Sequence, residues 1–326
     1  MMRNPRFRYV DAKNLSDALR VLAQHGSEAM PIAGGTDLVP KMKRRQFTPK
    51  VVVGLRRLAE LRRVTYSATE GLWLGAGLTL AGLHDSEVVR GGYPVVARTV
   101  KQIANPLIQN MGTLGGNLCL DTRCNYYDQT EGWRRSINFC MKKDGDTCWV
   151  APSSPRCWAV SSTDLAPVMI ALGARVRLAS VRGERDLAAT ELYNDDGIRW
   201  LNKDPDELLL GVQLPPVDGW RASYLKLRRR GSIDFPVLGV AAWARFEGDR
   251  VAAARIVLGA VGSRPHETPE CADALLGRPL SDESIAAASE AAYVRGKPLD
   301  NTDFAMNWRK RMIREYVKRA LAGLRA

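Results

Sequence analysis

The 326-residue chain lacks any apolar run near the roughly 20 residues that a membrane-spanning helix needs. A helical membrane protein is therefore not expected. Its three histidines, His25, His84 and His266, are scattered, with no H-E-x-x-H and no Ser/His/Asp order, so neither a zinc hydrolase nor a serine hydrolase is indicated. There is no C-x-x-C, which disfavours thioredoxin chemistry and ordinary zinc knuckles. Zinc-finger spacing, an RNP motif and a basic heptad helix are also missing. The formal charge of +13 thus reads as an arginine-rich surface or a face for an acidic partner, not as a nucleic-acid interface. The basic N-terminal residues Met1 to Arg8 are followed by no apolar stretch, so no secretory signal is expected, and the expected compartment is the cytoplasm with reduced thiols.

Against these absences stands one concentration. Five of the six cysteines, Cys119, Cys124, Cys140, Cys148 and Cys157, fall within about forty residues, and the sixth, Cys271, is isolated and reads as structural. A reduced compartment gives thiols no reason to gather unless they hold a metal or a cluster. The stretch is dense in turn formers and aromatics (Tyr126, Tyr127, Trp133, Phe139, Trp149, Trp158), with little periodicity. It reads as an irregular insertion, at about 122–161, held by something other than its own core. Four ligands suffice for a cubane or a structural zinc site. Cys119 follows Gly115-Gly116-Asn117-Leu118 and reads as a small hydrophobe on a buried strand. Cys124, Cys140, Cys148 and Cys157 remain as the expected ligand set.

The rest alternates strand and helix signals, which indicates an α+β or α/β class. Residues 7–10 read as a strand, Asp17 to His25 as a helix capped by Ser16, and Met30 to Ala33 and Val51 to Leu55 as short apolar strands. These make a unit over 1–56. A second unit, 57–216, carries a strand at Leu72 to Gly77, a helix from Tyr93 to Ile103, the insertion, a helix from Asp164 to Gly173 and a strand from Ala174 to Ala179. Pro215-Pro216 marks its end. A third, 217–326, shows strands over Val237 to Phe246 and Val251 to Val261 and helices at 281–293 and 303–323. Small basic clusters at Lys41 to Arg45 and Arg228 to Arg230 read as surface.

Two glycine turns stand out. Pro31-Ile32-Ala33-Gly34-Gly35-Thr36-Asp37-Leu38 places two glycines behind a strand, and Gly112-Thr113-Leu114-Gly115-Gly116-Asn117 repeats the design about eighty residues later. Glycine leaves backbone N–H groups uncovered, and successive exposed N–H groups form a nest for phosphate oxygens. Each alone also fits a plain tight turn, and neither is the Rossmann G-x-G-x-x-G. A pair from different units suits a pyrophosphate clamped from two sides.

Both loops, in this order and separation, resemble the flavin-binding medium subunits of the molybdenum hydroxylase family, which includes the xanthine and carbon monoxide dehydrogenases. Phe7 to Val10, Leu22 to Gly26 and Ala33 to Leu38 carry the first part of the likeness, and Ile103 to Pro106 with Gly112 to Leu118 the second. Ser162 to Pro167 and Tyr224 to Arg230 extend it through the chain. The resemblance implies a two-part FAD-binding domain of the PCMH type, then a C-terminal α+β domain like that of the carbon monoxide dehydrogenase flavoprotein. It implies FAD held by residues 31–38 and Thr113 to Asn117. Ile103 and Leu209 would give apolar contact, Asp164 a hydrogen-bond acceptor and Lys226 a positive end. It also implies work in a complex, a dimer of heterotrimers, with a molybdenum-containing large subunit and a small subunit carrying two [2Fe–2S] clusters. In the family the second glycine loop leads almost directly to the Ser/Asp-rich turn, whereas here about forty residues intervene. An insertion with four cysteines resembles members that run electrons inward to molybdenum. That implies a [4Fe–4S] cluster on this chain, a reduced ferredoxin as donor and reductive removal of a hydroxyl from an aromatic thioester. Another flavin subunit of the same family, serving an aromatic or xanthine-type dehydrogenase, is the alternative, and a zinc-stabilised RNA-binding module a more distant one.

Overall fold

A computed structural model describes residues 2–325. Three sheets are strung along the chain. In the first, Arg8–Asp11, Val51–Gly54 and Ala29–Ile32 lie parallel with Val51–Gly54 in the centre. Val51, Val52 and Val53 are buried on both faces, as a central parallel strand requires. The helix Leu15–His25 covers one face with Ala18, Leu19 and Leu22. Its cap is Asn14, not Ser16: the Asn14 side chain accepts from the Asp17 amide at 2.8 Å. Asparagine and serine compete equally for this place, and the chain enters the helix two residues earlier than the hydroxyl suggests.

The second sheet is antiparallel, in the order Val64–Ser67, Gly71–Gly75, Leu208–Leu214, Arg175–Ser180, Gly183–Ala188. Helices Leu80–Asp85, Glu87–Gly92, Pro94–Lys101 and Leu165–Ala171 pack against it, and every residue of Leu165–Ala171 is buried. The third sheet pairs Trp220–Leu227, Leu238–Glu247, Arg250–Gly259 and His266–Glu267 antiparallel, under helices Asp282–Arg295 and Met306–Ala322. Arg309 is fully buried there. Its guanidinium donates to the carbonyls of Val237, Leu299 and Ala260, so a cation does the work of tying the last helix to the sheet.

The sheets share cores. Ala179, Leu208 and Leu210 of the second sheet pack with Leu22, Val51 and Val53 of the first, and Ala241 and Val257 of the third enter the central core. The cysteine-rich stretch leaves and rejoins this frame at one point. Arg123 and Val160 pair with each other through both amides, at 2.8 and 2.7 Å. Between them the chain is mostly turns and bends, with one short helix, Glu131–Ser136.

Among the described residues no helix is long and apolar enough to cross a membrane.

Candidate functional site: two glycine loops and a four-cysteine pocket

The strand Ala29–Ile32 ends in the first glycine loop, which feeds the helix Leu38–Lys43. Gly35 has φ +71°, in the left-handed region that favours glycine. Among the described residues, the N–H groups of Gly34, Gly35, Thr36 and Asp37 find no hydrogen-bond partner within the chain. Buried or half-buried amides in that condition want an external acceptor. The second loop differs in kind. Thr113 caps a five-residue helix, Leu114–Leu118, and accepts from the Gly116 amide at 3.1 Å. The amides of Leu114, Gly115 and Asn117 donate to Leu78, Ala76 and Thr113. Its side chains are engaged too: Asn117 Oδ1 accepts from Thr163 Oγ1 at 2.8 Å and from the Leu165 amide at 3.1 Å. The loops meet at their edges. A Cβ on Gly34 would lie 1.8 Å from the Met111 carbonyl oxygen, and one on Gly112 3.6 Å from Thr36 Oγ1. The first loop therefore offers open donors, and the second presses up against it with the amides of Leu114 to Asn117 already taken.

The four other residues expected near the flavin sit farther down. Ile103 and Leu209 share the central core. Asp164 and Lys226 pair with each other at 3.0 Å, both side chains buried. Tyr224 Oη donates to Asp164 at 2.8 Å, and Lys226 donates to the Gln102 carbonyl at 3.1 Å, one residue from Ile103. Burial pushes the Asp164 carboxyl above its ordinary range, against the pull of Lys226 and Tyr224. Asp164→Ala is expected to destabilise the protein by about 3–5 kcal/mol in urea unfolding, because it strands a buried ammonium. An Asp164→Asn protein as stable as wild type would contradict that account.

Cys124, Cys140, Cys148 and Cys157 come together. All four are buried and line one pocket with Tyr126, Tyr127, Met141, Lys142, Trp149, Val150 and Ala159. A turn follows each of the first three: the Cys124 carbonyl accepts from Tyr127 and Asp128, that of Cys140 from Lys143 and Gly145, that of Cys148 from Ala151. Those turns aim amides back at sulfur. The Ala159 amide donates to Cys157 Sγ at 3.4 Å, and nearby turn amides pull the other three thiols towards the thiolate. N–H donors favour the thiolate, the form that binds metal. As free thiols, Cys124 is pushed up to about 12 and Cys140 is raised, burial being the largest cause for each. Cys148 falls to about 5, first because the Cys157 thiol bonds to it and then because amides face it. Among the described residues no three side chains close on one point as a single ion requires. A zinc site needs its sulfurs about 2.3 Å from one centre.

The backbone around the pocket is tight. Asn138, Phe139 and Asp144 all have φ near +60°, two of them directly ahead of Cys140. Such residues cost about 1–3 kcal/mol each and persist where the surroundings over-determine them. A Cβ on Gly197 would lie 2.7 Å from Cys157 Sγ. Cys119 lies outside the pocket. It closes the helix Leu114–Leu118 and is half-buried, so its expected place on a buried strand is corrected: the capping Thr113 starts a helical turn that carries through Leu118.

Two buried lysines beside the pocket were not legible in the sequence. Lys41, read as part of a surface cluster, is buried and ion-paired to Asp121 at 2.7 Å. Lys142 reaches the other Asp121 oxygen at 2.8 Å. Burial raises Asp121, but Lys142 and Lys41 together outweigh it and bring the carboxyl to about 2.

An open-amide glycine loop pressed against a second glycine loop suits a dinucleotide, and comparison makes the class of the chain definite. Residues 5–217 match the FAD binding domain in molybdopterin dehydrogenase, and residues 222–324 the CO dehydrogenase flavoprotein C-terminal domain. The chain belongs to this family of FAD-binding molybdenum hydroxylase subunits. More particularly, it is similar along its whole length to medium chains. It is 27% identical to the carbon monoxide dehydrogenase medium chain of Afipia carboxidovorans, covering 97% of each. It is 28% identical to the 6-hydroxypseudooxynicotine dehydrogenase complex subunit alpha of Paenarthrobacter nicotinovorans, covering 98% of this chain and 95% of that one. The solved Cu,Mo-CO dehydrogenase in its cyanide-inactivated form superposes with a TM-score of 0.83 at 26% identity, covering 99% of both chains. The comparisons speak for flavin. An iron–sulfur centre on this chain rests on the cysteine pocket.

Proposed function

We propose that this chain is the flavin-carrying medium subunit of a molybdenum hydroxylase-type complex in which the medium subunit also holds a [4Fe–4S] cluster, and that the complex is a 4-hydroxybenzoyl-CoA reductase. The observation that carries the reading is the convergence of the buried Cys124, Cys140, Cys148 and Cys157 on one pocket. FAD, when bound, supplies two-electron chemistry that can be fed one electron at a time, and the cubane supplies a one-electron port. For the flavin, the open amides of residues 34–37 bind phosphate oxygens, with Pro31, Ile32, Ala33 and Leu38 shaping that loop. Thr113, Leu114, Gly115, Gly116 and Asn117 form the opposing wall. Ile103, Leu209, Asp164 and Lys226 complete the cavity by resemblance. For the cluster, the four thiolates are ligands and Tyr126, Tyr127, Met141 and Trp149 keep water off.

No residue of this chain is assigned to the chemistry on the aromatic ring. That work belongs to a molybdenum-containing large subunit, reached through a small subunit with two [2Fe–2S] clusters, in a dimer of heterotrimers. A reduced ferredoxin is the donor, and the chain's net charge of +13 suits an acidic one.

The second reading keeps flavin alone, in a dehydrogenase that oxidises its substrate. The relatives favour it, since their names run from nicotine 6-hydroxylase to glyceraldehyde dehydrogenase. Purification of the native complex separates the two. The first reading expects three chains, molybdenum, FAD and about eight irons per heterotrimer, four of them from the cubane. It expects conversion of 4-hydroxybenzoyl-CoA to benzoyl-CoA with reduced ferredoxin. About four irons, with oxidation of an aldehyde or N-heterocycle, would establish the second.

A further inference from the structure

We propose that Lys142 is a positioning residue that raises the reduction potential of the centre held by Cys124, Cys140, Cys148 and Cys157, and that Asp121 and Lys41 fix it in place; this rests on the cluster reading above. Lys142 lies two residues beyond Cys140 and lines the cysteine pocket. Its side chain is only 4% exposed. Nζ donates to Asp121 Oδ1 at 2.8 Å, to Thr122 Oγ1 at 2.9 Å and to the Gly197 carbonyl. The rings of Tyr127 and Trp200 each stand 4.8 Å from it. Gly197 in turn donates its amide to the Cys157 carbonyl, so the ammonium of Lys142, two residues beyond Cys140, is anchored on the Cys157 side of the pocket. Both of those sulfurs feel its charge.

The local charge count gives the direction. Asp121 is the one carboxylate between two ammonium groups, Lys142 and Lys41, and the side chains of all three are at most 4% exposed. Asp128 answers Lys41 on the far side, so the charge that faces the pocket is Lys142, the one charged side chain in its lining, and in a medium of low dielectric a charge acts strongly on its neighbours. Reduction brings one electron to the cluster from an outside one-electron donor, here the ferredoxin. No bond is broken and no proton is taken up. A fixed cation at the ligand shell stabilises the reduced cluster more than the oxidised one and so raises its potential. A fixed carboxylate does the reverse. The wider network is a chain of alternating charge. Lys41 also meets Asp128 at 3.4 Å, Asp128 meets Arg123 at 3.7 Å and accepts from the Cys124 amide at 3.2 Å, and Arg123 holds Asp37 of the first glycine loop. That chain leaves Lys142 no freedom to move away when the electron arrives.

The test is an anaerobic redox titration of the whole complex, followed by low-temperature EPR of the cubane, on wild type, Lys142→Met, Lys142→Arg and Asp121→Asn. The Met variant is expected to titrate at a more negative potential, the Arg variant close to wild type, and the Asn variant at a more positive potential. The FAD potential should stay put in all three. A scaffold role alone would lower cluster content without this pair of opposite shifts. Potentials unchanged in clusters that are present would overturn the proposal and leave the cluster reading standing. Loss of the cluster from both the Met and the Asn variants would also overturn it. If the Met variant alone loses its cluster, the sign of the Asn shift decides. Wild-type complex with no cubane signal at all would bring down the cluster reading, and this inference with it.

Discussion

Complexes carrying Cys148→Ser are expected to lose about four irons per medium chain and the cubane EPR signal, while keeping most of their FAD. Cys148 is the one of the four whose free thiol is brought down, to about 5, the Cys157 thiol beside it being the largest cause. It is thus the ligand whose thiolate the fold most favours, and serine offers no sulfur for iron. The flavin loops lie outside the pocket, which is why FAD should survive. The matched control is Cys119→Ala. That residue closes the helix after the second glycine loop and does not line the pocket. Its loss should change neither iron nor flavin content. A Cys148→Ser complex with a full cubane signal, or a Cys119→Ala complex without one, would reassign the ligands.

Gly34→Val should nearly abolish flavin binding. The new Cβ would sit 1.8 Å from the Met111 carbonyl oxygen and 3.1 Å from the Gly112 amide nitrogen, and both are backbone atoms that cannot swing aside. The first loop must then back away from the second, and its open amides lose their aim. A displaced nest need forfeit only about 1.4 kcal/mol for each tenfold loss of affinity, so purified variant is expected to hold less than about a tenth of the wild-type FAD. Gly91→Ala is the control. It lies in the helix Glu87–Gly92 with nothing within 4 Å of the added carbon. Stoichiometric FAD in the Gly34→Val protein would remove this loop from the site.

What the sequence revealed follows from the range of the forces involved. The apolar runs Val51 to Leu55 and Val237 to Phe246 announce strands because a strand buried on both faces has no other use for such residues, and both are present within a residue or two. The strand Gly183–Ala188 was missed. Its sequence, Gly-Glu-Arg-Asp-Leu-Ala, is polar and mostly exposed, and it exists as the edge partner of Arg175–Ser180. Pairing across a hairpin, not local preference, makes it a strand. The cysteine set was legible because thiols are scarce and their grouping is visible at any spacing. Lys41 was misread for a physical reason. In a run of Lys and Arg each residue looks solvated, and only the fold reveals that Asp121, eighty residues on, waits beneath one of them. The amides of the second loop belong to the same class: glycines advertise open donors, but whether a donor is already taken depends on Leu78 and Ala76, thirty-odd residues away.

The reciprocal pairing of Arg123 with Val160 bears on the history of the protein. A segment of about forty residues departs and returns at neighbouring points, so the frame on either side needs no rearrangement to accommodate it. Closing a loop whose ends already touch costs little, and the cost grows only slowly with length. Some of its attachments run to main-chain carbonyls of the host: Asn125 donates to that of Asn301, Arg134 to that of Arg44, and Ser161 to that of Gly262. Backbone carbonyls are present whatever side chains drift around them. A segment attached in this way behaves as a cassette that can be gained or discarded whole, without the flavin-binding fold on either side having to change.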